Sequence, residues 1–551
     1  MNRRSFLKKL PVAAGAPMML HGMPITALAN QSYLTNMAAA STNDRVLVII
    51  QLHGGNDGLN TIIPVDQYSR YYHLRPNIAI PDRGRRSYIA LDNTLPVQDQ
   101  IGLHPDMIAV KEMYDRGEAA IVQGVGYENI NGSHFRSRDI WNMGGGYGDE
   151  FDSGWVGRYL NHLYPGYPEA YPNNTMLDPL GIEVGSSVSL AFHRANGIPA
   201  AISISNPEQF YDLINSVGVD PPESVANTHY GKELRWILDI EEKSNQYAGR
   251  LKDLYERGRS NTGVIYPEKY PYNAPTGAVS NPLAAQLQMI AQLLNGGSQT
   301  KVFVARIGGF DTHASQVESY DPTMGKHAAL LYHLSESVKA FQDDLKALSL
   351  DHRVLTVTMS EFGRRAASNG SYGTDHGTTA PMFVFGTGVN PGVIGTNPDL
   401  NNLRHNNLPE QNDYRQVYGA ILQDWLEASD EALAVTRFSD YVQPGMKLPL
   451  VGGNVTGTDR DSFINQRYRL NNCYPNPANG LVTLSYRINH VLPVRLTLLD
   501  LRGRVMKVIV DEEQVPGDYQ YQADVSYLHA GTYLYRLQAG AFQETKKLVV
   551  Y

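Results

Sequence analysis

Four short segments of this sequence combine glycine with aspartate, glutamate or histidine. They are His53–Gly58, Gly308–His313, Ser360–Arg365 and Gly373–Gly377. Carboxylates and imidazoles together form a ligand set for zinc, manganese and similar ions, and glycine lets the backbone approach a ligand closely. Each segment alone is typical of an ordinary turn or a solvated, salt-bridged loop. The prediction of a metal site therefore depends on all four segments meeting in the fold.

Short apolar runs rich in β-branched residues adjoin these segments and are typical of buried strands. The five runs are 46–50, 119–122, 302–305, 354–357 and 382–385, with helical periodicity at 282–294 and 326–348. Buried strands alternating with amphipathic helices predict an α/β domain with a mostly parallel sheet flanked by helices. Because sites in such sheets form outside the carboxyl ends of the strands, we expect the four segments to converge on one edge.

The N-terminus has the build of an export signal. Residues 1–29 contain a basic stretch with Arg3 and Arg4, an apolar stretch at Leu10–Leu20 and a small-residue cleavage site at Ala27–Ala29. The first part also looks like a twin-arginine signal, and whether the twin-arginine or the general export route is used stays open. A short polar leader at 30–44 follows.

The composition changes after the α/β domain, which we place at 45–447. Residues 448–472 are rich in glycine, threonine, asparagine and aspartate, which is typical of a linker. From 473 to 551, short alternating runs separated by turn residues predict a small all-β antiparallel sandwich. The single cysteine, Cys473, excludes an intrachain disulfide.

Charge and hydropathy limit the partners of the chain. The 551 residues carry a formal net charge of -8, which gives no electrostatic reason to expect a nucleic acid. Beyond the N-terminal signal, no apolar run is long enough to span a bilayer. We therefore expect no transmembrane segment in the mature chain.

The last 80 or so residues resemble the C-terminal sorting domain of the type-nine (Por) secretion system. The matching stretches are Tyr474–Pro477, Leu499–Arg504, Ala530–Leu537 and Lys546–Val550. The resemblance implies that the secretion machinery is a partner, that the protein reaches the outer-membrane surface or the extracellular space, and that the tail is removed. A generic adhesive or carbohydrate-binding sandwich would explain the strands but not the opening or closing stretches.

The α/β domain resembles a large uncharacterised family of exported proteins within the alkaline phosphatase and sulfatase superfamily. The matching stretches are Gln51–Thr61, Ser133–Trp141, Gly154–Arg158, Phe310–His313, Ser360–Arg365 and Gly373–Gly377. The resemblance implies an alkaline-phosphatase-like fold. It also implies a divalent metal (zinc, manganese or calcium) and a metal-dependent hydrolase of phosphate or sulfate esters.

The resemblance also implies roles for individual residues. The metal ligands would be Asp57, Asp311, His313, Glu361 and His376. Ser133 would be the nucleophile, at the start of a helix predicted at 133–141, where the helix dipole favours an anion. Three arginines are candidates for binding the substrate anion, namely Arg136, Arg364 and Arg365. We expect the ligands to lie in one cleft with Ser133 facing them.

One difference from the superfamily limits how far these residue roles can be transferred to this chain. Where its members commonly have Asp-His, this chain has Glu361 and Phe362, and Phe362 cannot bind a metal. A single-metal site, a calcium site with oxygen ligands and a non-catalytic descendant all stay open. The alternative function is therefore a non-catalytic surface protein for binding or structure that retains the fold.

Overall fold

The computed structural model describes residues 44–167, 169–217, 246–452, 469–488, 492–515, 517–539 and 542–551, with the pairs 19–20 and 23–24. The predicted signal (1–29) and leader (30–44) lie outside the described residues, apart from these pairs and Asp44. Strand β1 (Met19–Leu20) pairs antiparallel with β2 (Met23–Pro24). The predicted linker is described only at its two ends.

A nine-stranded sheet forms the centre of the large domain. Its strands are β3 (Val46–His53), β7 (Ala119–Gly126), β8 (Gly181–Val184), β11 (Ile202–Ile204), β12 (Val302–Gly308), β13 (Val354–Met359), β14 (Ala380–Phe385), β15 (Gly392–Ile394) and β16 (Asn412–Asp413). Their spatial order is β11-β8-β12-β3-β13-β14-β7-β15, and β16 also pairs with β7. All five predicted strand runs are confirmed as members of this sheet.

The direction of the strands decides which loops meet. Within this sheet, β14 is antiparallel to both of its neighbours, β13 and β7, and the other described pairs are parallel. The carboxyl ends of β3, β7, β12 and β13 therefore share one edge with the amino end of β14. The segment that precedes β14 reaches the same edge as the segments that follow the parallel strands.

Shorter strands and the helices complete this domain. β4 (Ile62–Pro64), β5 (Ile89–Ala90) and β6 (Ile101–Leu103) form a small antiparallel sheet, and β9 (His193–Arg194) pairs with β10 (Ile198–Pro199). The α-helices with printed bounds are Gly58–Thr61, Tyr68–Leu74, Ile108–Asp115, His134–Met143, Trp155–Leu163, Pro207–Val217, Thr276–Val279, Pro282–Asn295, Lys326–Ala347, Tyr414–Ala420 and Asp430–Thr436. Residues 246–257 are also helical. The helices predicted at 282–294 and 326–348 are confirmed to within one residue at each end.

Successive side chains along a strand point to opposite faces of the sheet, which divides the apolar core into two layers. In β3, Val48 and Ile50 pack into one apolar cluster, while Leu47 and Ile49 pack into another. Both faces of the sheet are covered, as expected for a largely parallel sheet. The fold class predicted for this domain is confirmed. No helix in the described part of the chain is both long and apolar enough to cross a bilayer.

The C-terminal region is an antiparallel sandwich, as predicted. One sheet contains β17 (Arg469–Leu470), β18 (Leu481–Ile488) and β21 (Gly517–Asp524). The other contains β20 (Val505–Gln514), β19 (Leu492–Leu499), β22 (Gly531–Ala539) and β23 (Phe542–Val550), in that spatial order. Side chains from both sheets, including Leu484, Leu496 and Leu537, form one core.

Candidate metal centre

The predicted convergence takes place at the edge shared by the ends of β3, β12 and β13 and the start of β14. Tight backbone contacts join the loops there. Gly54 has a φ of +123°, and a Cβ at this position would lie 2.2 Å from the backbone nitrogen of Asp311. A Cβ on Gly373 would lie 2.4 Å from the carbonyl oxygen of His313. Glycine at both positions therefore allows the loops to pack into one site.

His134 is the first residue of the helix His134–Met143, which follows β7. Its Nδ1 lies 3.0 Å from Oε1 of Glu361. Since a carboxylate only accepts, Nδ1 of the imidazole carries the proton, and Nε2 of the neutral ring keeps a free lone pair. That Nε2 lies 3.5 Å from Oδ2 of Asp311. Metal-binding histidines commonly donate their other ring N–H to a carboxylate, which orients the ring in this way.

His376 reaches the same carboxylate from the opposite segment. Its Nδ1 lies 2.8 Å from the carbonyl oxygen of Gly132, so the neutral ring again carries its proton on Nδ1. Its Nε2 lies 3.6 Å from Oδ1 of Asp311. The imidazole rings of His376 and His134 are 4.4 Å apart and nearly perpendicular.

Several atoms that can act as metal ligands therefore face one another. Nε2 of His134, Nε2 of His376 and Oε2 of Glu361 are buried and have no hydrogen-bond partner among the described residues. The ligand atoms of His134, Asp311 and His376 lie within 4.8 Å of one another. Two ligands of a tetrahedral zinc ion are roughly 3.4 Å apart. The observed separations of 3.5 and 3.6 Å fit this arrangement. The donor set thus fits a divalent cation.

The protonation states at neutral pH suit metal binding. Burial, followed by smaller effects that include the charge of Arg364, lowers the pKa of His376, which keeps its imidazole neutral. Burial alone would raise the pKa of Asp311. The hydrogen bond and charge of Arg364, with His134 and His313 nearby, outweigh that effect and leave the pKa lowered. A neutral imidazole and an ionised carboxylate are the forms that bind a metal.

His313 and Glu361 complete the group of predicted residues that the structure brings together. Nε2 of His313 lies 3.3 Å from Oδ1 of Asp311, and its Nδ1 lies 3.5 Å from Oδ1 of Asp375. Glu361 is fully buried and also accepts a hydrogen bond from the backbone N–H of Gly54 at 2.8 Å. We interpret Glu361 as the residue that positions His134. His313 lies between Asp311 and Asp375 at the more exposed side and is not one of the three residues whose ligand atoms converge.

Phe362 is an apolar neighbour of the two imidazoles. The Phe362 ring lies 4.8 Å from the ring of His134 and 4.6 Å from the ring of His376. The Phe362 ring thus packs beside both imidazoles and supplies no ligand atom of its own.

Asp57 is placed differently from the sequence expectation. Its side chain is fully buried, and its oxygens accept hydrogen bonds from Nη1 of Arg75 at 2.9 and 2.7 Å. Gln316 Nε2 donates a further bond at 2.6 Å. Because Arg75 supplies the counter-charge, Asp57 needs no metal and belongs to a layer that supports the loops. The expectation that Asp57 joins the ligand cluster is corrected in this respect.

The three predicted anion-binding arginines already have other partners. Arg364 is buried and donates to the carbonyl oxygens of Gly54, Gly55, Phe310 and Thr374 and to Asp311. Arg136 donates to the carbonyl of Asp149, and Arg365 lies 4.0 Å from Asp375. Arg364 therefore holds the loops and Asp311 in place, which replaces its predicted role in binding substrate.

Ser133 is exposed and is the N-cap of the helix that starts at His134, with no capping hydrogen bond from its side chain. It lies in the chain between Gly132, which holds His376, and His134. The predicted start of the helix is confirmed to within one residue. The residue that sequence reasoning missed is His134. The signal was present, since His134 directly follows the predicted nucleophile at a helix N-terminus.

A buried histidine beneath the site gives a prediction on pH. Nε2 of His327 lies 3.0 Å from Oδ1 of Asn56, and burial lowers the pKa of His327 to about 4. Between pH 6.5 and about 4 the unfolded chain binds the extra proton, so acidification removes up to about 3 kcal/mol of folding free energy. We expect His327→Gln to flatten the pH dependence of the free energy of unfolding, measured by urea denaturation. Parallel curves for wild type and variant would contradict this assignment.

Comparison with known proteins identifies two regions of the chain. Residues 265–412 match the model of a protein family of unknown function, DUF1501. Residues 472–551 match the model of a secretion system C-terminal sorting domain. The chain thus combines an α/β domain with a sorting domain. The sorting domain acts with the secretion machinery and directs the protein to the cell surface or extracellular space. No curated protein matches the chain.

Several solved structures have a partial likeness to this chain, all at low sequence identity. An alkaline phosphatase superfamily protein from Vibrio parahaemolyticus is 11% identical, with 70% of this chain and 67% of that one covered and a TM-score of 0.30. A sulfatase from Pseudoalteromonas sp. is 10% identical, with 89% and 86% covered and a TM-score of 0.31. An alkaline phosphatase from the Antarctic bacterium TAB5 is 12% identical, with 63% and 93% covered and a TM-score of 0.25. Because these TM-scores are low, the fold assignment depends on the strand order and strand directions of the nine-stranded sheet.

Proposed function

We propose that this exported protein is a metal-dependent hydrolase of phosphate or sulfate esters that uses a single divalent ion. One observation carries the proposal, namely that Nε2 of His134 and Nε2 of His376, both buried and without a hydrogen-bond partner among the described residues, converge with the carboxylate of Asp311. Two imidazoles in the set favour zinc or manganese over calcium, which takes oxygen ligands.

The roles of the residues follow from their contacts. His134, Asp311 and His376 would hold the ion, Glu361 would orient His134, and Arg364 would fix Asp311. When bound, the ion would act as a Lewis acid toward an ester oxygen and offset the negative charge that develops during hydrolysis. Three protein ligands leave a coordination position for substrate, as in catalytic rather than structural zinc sites.

Ser133 is the proposed nucleophile, and it gives a direct test. We expect Ser133→Ala to lower kcat on 4-nitrophenyl phosphate or sulfate at least about 100-fold, because the covalent route is lost. The metal content should stay at the wild-type value, since the three ligands are unchanged. Ser189→Ala, at the N-cap of a short helix elsewhere in the domain, is the control. Unchanged turnover in Ser133→Ala would rule out this serine as the nucleophile.

A non-catalytic surface-binding protein is the second candidate. Two observations favour it: the apolar ring of Phe362 packs beside both imidazoles, and Arg364 donates to loop carbonyls and Asp311. Metal analysis of the pure protein combined with a broad panel of phosphate and sulfate esters separates the two candidates. Bound metal with turnover supports the hydrolase, and bound metal without turnover supports the binding protein.

A further inference from the structure

Arg138 is a cation beside the metal cluster that the sequence did not single out. It follows His134 by four residues in the helix His134–Met143, so both side chains lie on the same helix face. Its Nη1 lies 2.9 Å from Nε2 of His53, the last residue of β3. Its guanidinium carbon lies 5.4 Å from the centre of the Phe135 ring. The His53 and His134 rings are 6.3 Å apart.

The charge of Arg138 has no acidic partner in the described part of the chain, where no carboxylate lies within ion-pair distance of it. Since a guanidinium only donates, Nε2 of His53 accepts, and the imidazole is not an imidazolium. Burial and the charge of Arg138 also lower the pKa of His53, against the effect of Glu361. Arg138 therefore has no ion pair among the described residues, and the carboxylate that interacts with its charge at longer range is that of its sequence neighbour Asp139.

The other arginines around the cluster lie against oxygen atoms of the protein itself. Arg364 pairs with Asp311, Arg365 lies near Asp375, and Arg136 binds a carbonyl. Arg138 is half-buried, and it is held by an aromatic face and an imidazole rather than by a carboxylate. Such a cation retains donors for a ligand, and its planar fork matches two oxygens of a tetrahedral oxyanion.

We propose that Arg138 binds the phosphate or sulfate group of the substrate and that His53 positions its guanidinium. This inference rests on the proposed function for the identity of the substrate, while the oxyanion chemistry comes from Arg138 itself. Arg138 would be a substrate-binding residue and His53 a positioning residue. Phe135, which is 73% exposed, would cover one face of the guanidinium and limit its hydration.

Calorimetric titration of inorganic phosphate, and separately of sulfate, into the full-length zinc- or manganese-loaded chain tests the proposal. We expect Arg138→Gln to weaken anion affinity at least about tenfold, since a charge-assisted hydrogen bond is lost. The metal content should not change. The anion affinity of Arg138→Lys should lie between those of wild type and Arg138→Gln, because an ammonium keeps the charge but cannot form two parallel bonds. Arg437→Gln is the matched control, as Arg437 also stacks on a phenylalanine ring, that of Phe151.

The outcomes separate this inference from the proposed function. The same tenfold increase in KM for 4-nitrophenyl esters would support substrate binding by Arg138. An effect on inorganic anions alone would overturn the substrate role. Equal affinity in wild type and Arg138→Gln, or no anion binding by metal-loaded wild type, would overturn the proposal entirely. Anion binding that depends on Arg138 but occurs without turnover of any ester would refute the hydrolase and support the oxyanion site.

Discussion

Replacing Arg75 by methionine is expected to destabilise the large domain by about 3–5 kcal/mol. Arg75 and Asp57 are both fully buried and form an ion pair in which Nη1 of Arg75 donates to both carboxylate oxygens. Arg75 also donates to the carbonyl oxygens of Arg365 and Ala366, which joins the helix Tyr68–Leu74 to the loop after β13. The variant would leave the Asp57 carboxylate buried with only Gln316 as a strong donor. Urea denaturation followed by circular dichroism measures the loss.

The direction in which the free energy of unfolding changes with pH distinguishes this ion pair from an uncharged packing contact. Burial would raise the pKa of Asp57, but the charge and hydrogen bonds of Arg75 keep the pKa below its ordinary value. In wild type, this contribution to stability is present above the ordinary pKa and is lost as the pH falls through the lowered one. In Arg75→Met the effect of burial on Asp57 loses its main opponent and the pKa of Asp57 rises, so the variant should gain stability relative to wild type on acidification from pH 7. The same slope in both proteins would contradict the ion-pair account.

The double variant Arg75→Met with Asp57→Leu is the matched control. If the cost comes from an unpaired buried charge, removing both charges should recover much of the stability lost by either single variant. Asp57→Asn alone also tests the earlier expectation that Asp57 is a metal ligand. We expect the folded fraction of that variant to retain its metal, because Asp57 lies on Arg75 and not on the cluster.

Most of the residues at the edge of the sheet that carries the site could be predicted, because each buried strand is recognisable from its own short apolar run. The apolar runs gave β3, β12, β13 and β14, and the rule for carboxyl ends correctly grouped Asp311, Glu361 and their neighbours. The reversed direction of β14 could not be read from its sequence, since a buried strand looks the same in both directions. That reversal is what brings His376, which precedes β14, to the shared edge.

The misses concern contacts between residues that are distant in sequence. Asp57 has the type and position of a metal ligand, and only its pairing with Arg75 shows otherwise. His134 and Arg138 follow β7, whose run carried no metal-binding motif at its end, so their approach to Asp311 and His53 depends on the tertiary fold. The edge strand β20 could not be predicted from a period-two pattern, because most of its side chains are exposed.

Removing the metal is expected to produce the second large effect. If the ion is present at about 1,000 times its dissociation constant, it contributes about 4 kcal/mol to folding, and a strong chelator should remove this contribution and lower the Tm. His134→Ala and His376→Ala should each abolish metal retention and ester hydrolysis, because two protein ligands bind a divalent ion much more weakly than three. Metal analysis, thermal unfolding and turnover are the measurements. His193→Ala is the control, since His193 is also half-buried and its pKa is also lowered by burial.

Glu361→Gln separates a metal centre from a cluster that is merely polar. Glutamine in place of Glu361 can still accept a hydrogen bond from His134, but the negative charge that makes the imidazole a better ligand is gone. Loss of such a supporting carboxylate typically weakens metal binding 10- to 100-fold. We therefore expect Glu361→Gln to bind zinc more weakly than wild type but more tightly than His134→Ala. If wild type holds no metal and chelator leaves its Tm unchanged, the facing lone pairs of His134 and His376 must instead be satisfied by protons, and the hydrolase proposal fails.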